Sequence, residues 1–169
     1  MARGKFKIIK ATRDLQAKAG VGDIPAERVL RSERVIERDE TDFSQIAGNF
    51  LAALHDAIQR ARGAAGEPDK LIQDLVRPVM ELKANGRMFK YDLIGTLANI
   101  MLGFLEHIKE LDSDIIDIID AHHKTLDLIL RKRMMGDGGA NGAMLKSELE
   151  NACARYFTKN PDNFKHPKK

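Results

Sequence analysis

The sequence predicts an all-α protein, and two observations carry that prediction. Apolar residues recur at steps of three and four, the period of an amphipathic helix, through most of the chain. Strand-like alternation is confined to the short stretch 5–10, and no βαβ unit is present. The expected architecture is an antiparallel four-helix bundle with a long first helix, an extra short C-terminal helix and flexible tails. The clearest apolar seam is Phe43, Ala47, Phe50, Leu54, Ala57 and Ala61.

The first helix of this bundle starts at Asp23 and Pro25, a capping residue followed by an early proline. The segment 25–62 is either one long helix or two helices joined around 39–41. As one helix it would span about 57 Å, much more than partner helices of roughly 20 residues. The surplus length would then bury its seam against a second copy, which makes a structural homodimer one interpretation of the chain.

Three further helices are bounded by proline, capping and glycine signals. These predicted helices run from Pro68 to Asn85-Gly86, from Asp92 to Glu110, and from the cap Asp112-Ser113-Asp114 to about Arg133. Together with the first helix they make a predicted bundle over residues 24–135.

The ends of the chain are predicted to lie outside the bundle. Residues 136–142 are glycine-rich and read as a flexible linker, followed by a short helix over 143–158. The arm 1–23 carries a formal charge of +4 and the tail 159–169 carries +3, which leaves the body at −4. The basic character therefore belongs to solvated ends, and the sequence does not favour nucleic-acid binding, which needs a basic stripe on a folded surface.

Composition excludes several classes of protein. Cys153 is the single cysteine among 169 residues, so a disulfide scaffold and a cysteine-rich zinc site are excluded. The longest apolar stretch, 97–105, is too short to span a bilayer. The N-terminus carries no apolar signal-peptide core. We therefore expect a cytoplasmic protein with no membrane partner.

The predicted fourth helix contains two adjacent histidines with opposite expected surroundings. At 100° per residue, His122 falls in the middle of the apolar arc, which predicts a hydrogen-bonded core histidine. His123 falls at the edge of the arc, with Asp120 three residues before it and Asp127 four after. A carboxylate at either position can orient an imidazole. His123 and Asp120 are thus the candidate catalytic pair, for phosphoacceptance or proton transfer, and a surface salt bridge is the alternative.

A histidine on a helical bundle resembles the histidine phosphotransfer domains of two-component signalling. Those domains carry Lys three and Gly four residues after the histidine. The corresponding residues here are Thr125 and Leu126 after His122, and Leu126 and Asp127 after His123. Neither register matches, so the similarity is one of architecture alone.

A second signalling resemblance is carried by Asp69 and Gln73 on the predicted second helix. Helical chemotaxis phosphatases present an acidic residue and a glutamine one turn apart to a response regulator, where the glutamine aligns the attacking water. The resemblance implies response-regulator phosphatase activity with Asp69 and Gln73 as its residues. An acid and a glutamine four residues apart also occur together by chance.

The predicted third helix carries small residues on the face opposite its Leu/Ile stripe. Gly95, Asn99 and Gly103 recur every four residues there. Each helix-interior glycine costs about 1 kcal/mol relative to alanine, which favours a compensating packing role. The stripe either packs within the chain or forms a groove for a partner, and we take these three residues as the candidate partner-binding site.

No metal site and no cofactor are predicted. Only Asp120-x-x-His123 approximates a di-iron half-site, and the sequence does not show whether His55 and His107 lie beside it.

A further resemblance covers the first quarter of the chain. The run from Asp14-Leu15-Gln16 through Gly20 and Gly22 to Glu33-Arg34-Val35-Ile36-Glu37 resembles the opening of a group of small, uncharacterised bacterial helical proteins. The segment 89–130 resembles them weakly. The resemblance implies no activity. The sequence therefore predicts a protein-binding helical bundle, an adaptor or regulator in bacterial two-component or chemotaxis-type signalling, with a response regulator as the expected partner.

Overall fold

A computed structural model describes residues 14–20, 22–37, 42–63 and 66–165 of the chain. Over these residues the protein is helical and contains no β-strand, which confirms the predicted all-α class. One isolated antiparallel bridge joins Ile108 and Phe164. In the same residues no helix has both the length and the apolar composition that a bilayer crossing requires. The helices are α1 (Asp14–Ala19), α2 (Ala26–Glu37), α3 (Phe43–Arg62), α4 (Pro68–Met88), α5 (Asp92–Glu106), α6 (Ser113–Arg131) and α7 (Gly139–Lys159), followed by a 3-10 turn over Pro161–Asn163.

The chain divides into two compact units, residues 1–41 and 42–169. The predicted long first helix is not formed, because the backbone of Asp42 is extended (φ −74°, ψ 99°) and Asp42 caps α3. Its carboxylate accepts a hydrogen bond of 2.9 Å from the Ser44 amide. The predicted joint at 39–41 lies outside the described residues. In the first unit, α2 leaves Val29, Leu30 and Val35 exposed.

Contacts near the helix ends give the directions of the helices in the second unit. Phe43 stacks on Phe89 and Arg60 pairs with Asp74, so α3 and α4 are antiparallel. Arg62, the last residue of α3, pairs with Asp117 near the beginning of α6. Leu51, in the middle of α3, contacts His123 in the middle of α6, so α3 and α6 are antiparallel as well. The most extensive helix–helix interface is that between α4 and α5.

The core of the second unit is aliphatic. The α3 seam is buried at every predicted position except Phe50, which is half-buried. The largest fully buried side chains are Leu54, Ile58, Leu75, Leu82, Ile94, Leu97, Met101, Leu105, Ile108, Ile115, Ile119 and Leu126.

Two predicted helix boundaries differ from the structure. Asn85-Gly86 does not end the second helix, because α4 continues to Met88. Gly86 is used for helix contact instead of termination, since a Cβ there would lie 3.0 Å from the Gly95 amide nitrogen of α5. The third helix ends at Glu106 and not at Glu110. The predicted starts at Pro68 and at the cap Asp112 are confirmed.

The glycine-rich segment before the last helix is structured. The helix α7 begins at Gly139, four residues before the predicted start, and runs for 21 residues. Gly138 has a φ of +74°, which favours glycine, and a Cβ at the buried Gly142 would overlap the Asp137 carbonyl. The glycines therefore allow a tight turn and close packing. The prediction of a flexible linker, which was made from the glycine-rich composition, is wrong.

The chain after α7 folds back onto the α5–α6 connection. The Lys165 amide donates to the His107 carbonyl at 2.6 Å, and Asn163 accepts from the Glu110 amide at 2.9 Å. The ring of Phe164 stacks on His107. The predicted basic tail is thus packed against the α5–α6 connection as far as Lys165. Residues 166–169 lie outside the described residues.

Candidate functional site

The candidate site lies where α4 and α5 approach most closely. A Cβ at Gly86 would lie 3.0 Å from the Gly95 amide nitrogen and 3.2 Å from the Tyr91 carbonyl oxygen. A Cβ at Gly95 would lie 3.1 Å from the Arg87 Cγ atom. Both glycines are buried. Because neither residue carries a side chain, the backbones of α4 and α5 come together where the last turns of α4 meet the first turn of α5.

A surface groove runs between α4 and α5 from this close contact. Its volume is about 490 Å³. Its walls come from one face of each helix, and nine residues line it. They are Val76, Met80, Lys83, Ala84 and Arg87 of α4, and Gly95, Asn99, Leu102 and Glu106 of α5.

Two of the three predicted partner-binding residues line the groove, and the third does not. Gly95 and Asn99 line the groove, Gly95 buried at its base and Asn99 exposed on its wall. Gly103 does not line it. A Cβ at Gly103 would meet no described atom within 4 Å, and the Gly103 carbonyl accepts a hydrogen bond of 2.6 Å from His107 Nδ1.

The groove has an apolar middle and ends of opposite charge. Val76, Met80 and Leu102 provide the apolar surface, and the Met80 side chain is 57% exposed. Because α4 and α5 join through the short connection 89–91 and run antiparallel, Lys83 and Arg87 lie towards the Gly95 end and Glu106 towards the opposite end. The groove therefore offers a basic end, a middle lined by Met80 and Leu102, and an opposite end that carries Val76 and the acidic Glu106.

The α4 wall was missed by sequence reasoning. Lys83, Ala84 and Arg87 belong to the solvent face of the predicted second helix, and nothing in the spacing shows that this face lies beside Gly95 and Asn99. Ala84 and Gly86, two small residues close together near a helix end, are the signal that would have indicated a close helix contact.

His123 is oriented by a backbone group and not by the predicted carboxylate. Its Nε2–H donates to the Leu51 carbonyl at 3.1 Å. Burial lowers the pKa of the half-buried imidazole, and the neighbouring His55 lowers it further; together they outweigh the hydrogen bond to Leu51 and the charges of Asp127 and Asp120, which raise it.

Asp120 engages cations. It pairs with Arg62 at 3.1 Å and with Lys124 at 2.9 Å. Burial raises its pKa, but the hydrogen bond from Lys124 and the charges of Lys124, Arg62 and His123 outweigh that effect, so the pKa of Asp120 is lowered. Asp120 and His123 thus lie near each other with separate partners.

His122 is a core histidine, as its place in the apolar arc predicted. It is fully buried, and its Nδ1–H donates to the Ile118 carbonyl at 2.9 Å. Its Nε2 has no hydrogen-bond partner among the described residues. Burial lowers the pKa of this imidazole, so the neutral form is favoured in the folded chain.

Of the other histidines considered, only one lies beside His123. The rings of His55 and His123 are 5.5 Å apart at their centroids, whereas His107 stacks on Phe164. In the described part of the chain, no three or more His, Cys, Asp or Glu side chains are grouped in a way that could hold a metal ion. Asp69 and Gln73 are both exposed near the beginning of α4.

Comparison of the chain with protein-family models, with curated proteins and with solved structures finds no match. The resemblances to bacterial helical proteins, to histidine phosphotransfer domains and to chemotaxis phosphatases therefore stay predictions.

Proposed function

We propose that this protein acts by binding another protein, and that it does so by receiving an amphipathic helix of that partner in the α4–α5 groove. The observation that carries the proposal is the groove itself, an open depression with apolar residues in its middle and opposite charges at its ends. Recognition of a helix by an apolar groove uses anchor residues at helical spacing on one face of the ligand.

The shape of the groove supports a helix as the occupant. The lining residues of α4 extend from Val76 to Arg87, about 16 Å along the helix axis, which accommodates about three turns of a partner helix. Ala84 is exposed in the groove and small enough to let another helix approach closely. Met80 has a flexible, polarisable side chain that adapts to different apolar anchors.

The charges fix the orientation of the partner helix. Lys83 and Arg87 attract acidic residues at one end of it, and Glu106 attracts a basic residue at the other. A helix with acids before and bases after its apolar anchors places its N-terminus beside Arg87. In the opposite orientation the same helix would place like charges together at both ends of the groove.

A bacterial signalling protein, in particular a response regulator, is the partner class that we propose from the sequence. The exposed positions of Asp69 and Gln73 support that choice, since both side chains are accessible one helical turn apart. The geometry does not favour His123 as the solvent-facing phosphoacceptor of a relay, because the ring is half-buried and its Nε2 donates to Leu51.

A peptide selection tests the groove. The probe is a displayed library of amphipathic helices of about 16 residues with randomised anchors and end charges, selected on the full chain. We expect enriched sequences to carry aliphatic residues at helical spacing with acids at one end and bases at the other. Ala84→Phe fills the groove from an exposed position, so it should lower the affinity of an enriched peptide at least about tenfold, or about 1.4 kcal/mol.

Matched variants separate the groove from the rest of the surface. Ala53→Phe makes the same change at an exposed position of α3 and should leave the affinity unchanged. The double variant Lys83→Glu, Arg87→Glu should weaken binding of the acid-ended peptides. Enriched peptides that bind Ala84→Phe as tightly as the wild type would refute the groove as the docking site.

A further inference from the structure

The histidine pair between α3 and α6 has the ring separation of two metal ligands. His55 on α3 and His123 on α6 have ring centroids 5.5 Å apart, and the ring planes are inclined by 41°. Two imidazoles that share one tetrahedral Zn²⁺ through Zn–N bonds of about 2.0–2.1 Å hold their centroids about 5 Å apart. The separation of the two rings is therefore close to that of a bis-imidazole site.

The hydrogen bond on His123 prepares that ring for coordination. Because Nε2 carries the proton that it donates to the Leu51 carbonyl, a neutral ring has its lone pair on Nδ1. Metal-bound histidines usually donate their other ring N–H to a backbone carbonyl or a carboxylate, which fixes the tautomer and the ring orientation. Leu51 supplies that outer contact from α3, the helix that also carries His55.

The pair is open to an ion that comes from solution. His55 is exposed, so an ion can reach it from solvent. Asp120 and Asp127 both interact electrostatically with His123. Each of these carboxylates is paired with a basic side chain, so neither is free to serve as a ligand and the two imidazoles remain the protein ligands.

We propose that His55 and His123 form a binding site for a divalent transition-metal ion such as Zn²⁺, which joins α3 to α6. The two imidazoles are the protein ligands, and water completes the coordination sphere. Imidazole nitrogen suits Zn²⁺, Ni²⁺ and Cu²⁺ and does not suit Mg²⁺. The site is separate from the α4–α5 groove, so its test and that of the groove are independent.

Calorimetric titration with Zn²⁺ of the untagged full chain, freed of metal with a chelator, tests the site. We expect one ion per chain, and a Tm that rises with Zn²⁺ concentration by about 4 °C or more near saturation, since the ion binds the folded form. Mg²⁺ should have no such effect. The single variants His55→Gln and His123→Gln should each lose at least about tenfold in Zn²⁺ affinity.

The double variant His107→Gln, His166→Gln is the matched control, because it removes two histidines and leaves the proposed ligands in place. It should bind Zn²⁺ as the wild type does. His55→Gln changes an exposed side chain, so its effect on binding is separable from any effect on folding. The proposal is overturned if the wild type binds no Zn²⁺, or if His55→Gln binds it with unchanged affinity.

Discussion

The α3–α6 and α4–α5 interfaces belong to the same helical unit and are built in opposite ways. Between α3 and α6, polar side chains reach across the contact: Arg62 pairs with Asp117 and Asp120, and His123 donates to Leu51. Between α4 and α5, Gly86 and Gly95 bring the backbones together at one end.

The difference shows what side-chain size does to a helix interface. Long polar residues cross-link the exposed edge of α3 and α6. Glycines let α4 and α5 touch through their backbones, and the remaining length of the pair opens as a groove between exposed faces. The groove that we propose for partner binding is thus shaped by Gly86 and Gly95, the same residues that bring its two helices together.

The largest expected effect concerns the glycine contact. Gly86→Val should lower the free energy of unfolding by about 2–3 kcal/mol, because the new side chain meets backbone atoms of Gly95 and Tyr91 that cannot move without separating the helices. Urea unfolding followed by circular dichroism measures the change.

Gly103→Val is the matched control, since a Cβ there meets no described atom within 4 Å. It should change the free energy of unfolding by no more than about 0.5 kcal/mol, and the gain in helix propensity over glycine favours stabilisation. Equal destabilisation by the two substitutions would show that the α4–α5 contact does not depend on glycine.

A smaller effect is expected from the buried histidine of α6. Burial lowers the pKa of His122 in the folded chain below its ordinary value of about 6.5. Its contribution to stability is therefore complete above pH of about 6.5. Below that pH the unfolded chain binds a proton that the folded chain resists, and the free energy of unfolding falls by up to about 1.4 kcal/mol per pH unit until the folded pKa is passed.

His122→Leu removes this titration and should flatten the pH dependence of stability between pH 6.5 and 5, as measured by urea unfolding at a series of pH values. His123 is present in both proteins, so its own lowered pKa does not contribute to the difference. Identical slopes for the wild type and His122→Leu would contradict a folded state that keeps His122 neutral.

The local features of the fold were predictable from the sequence. The α3 seam, the start of α4 at Pro68 and the cap Asp112 depend on residues within a few positions of one another. The burial of His122 followed from the 100° step of the helix, because its neighbours at helical spacing are aliphatic.

The features that join distant segments were not predictable. The Leu51 carbonyl that orients His123 lies 72 residues away in the chain, and the α4 wall of the groove depends on which helices are neighbours. Gly138 and Gly142 were misread for a related reason: their role is set by Asp137 and Leu93, contacts that composition does not show. Two of the nine residues that line the candidate groove, Gly95 and Asn99, were found from spacing alone.

The most direct test of the groove uses the methyl resonances of the methionines. Protein labelled with ¹³C at the methionine methyl groups is titrated with an enriched amphipathic peptide and followed by NMR. Met80 lines the groove, whereas Met144, which is also exposed, lies on α7 and does not line it. Docking in the groove predicts a saturable shift of the Met80 methyl resonance with Met144 unchanged. A saturable shift at Met144 with Met80 unchanged would contradict the proposed binding surface.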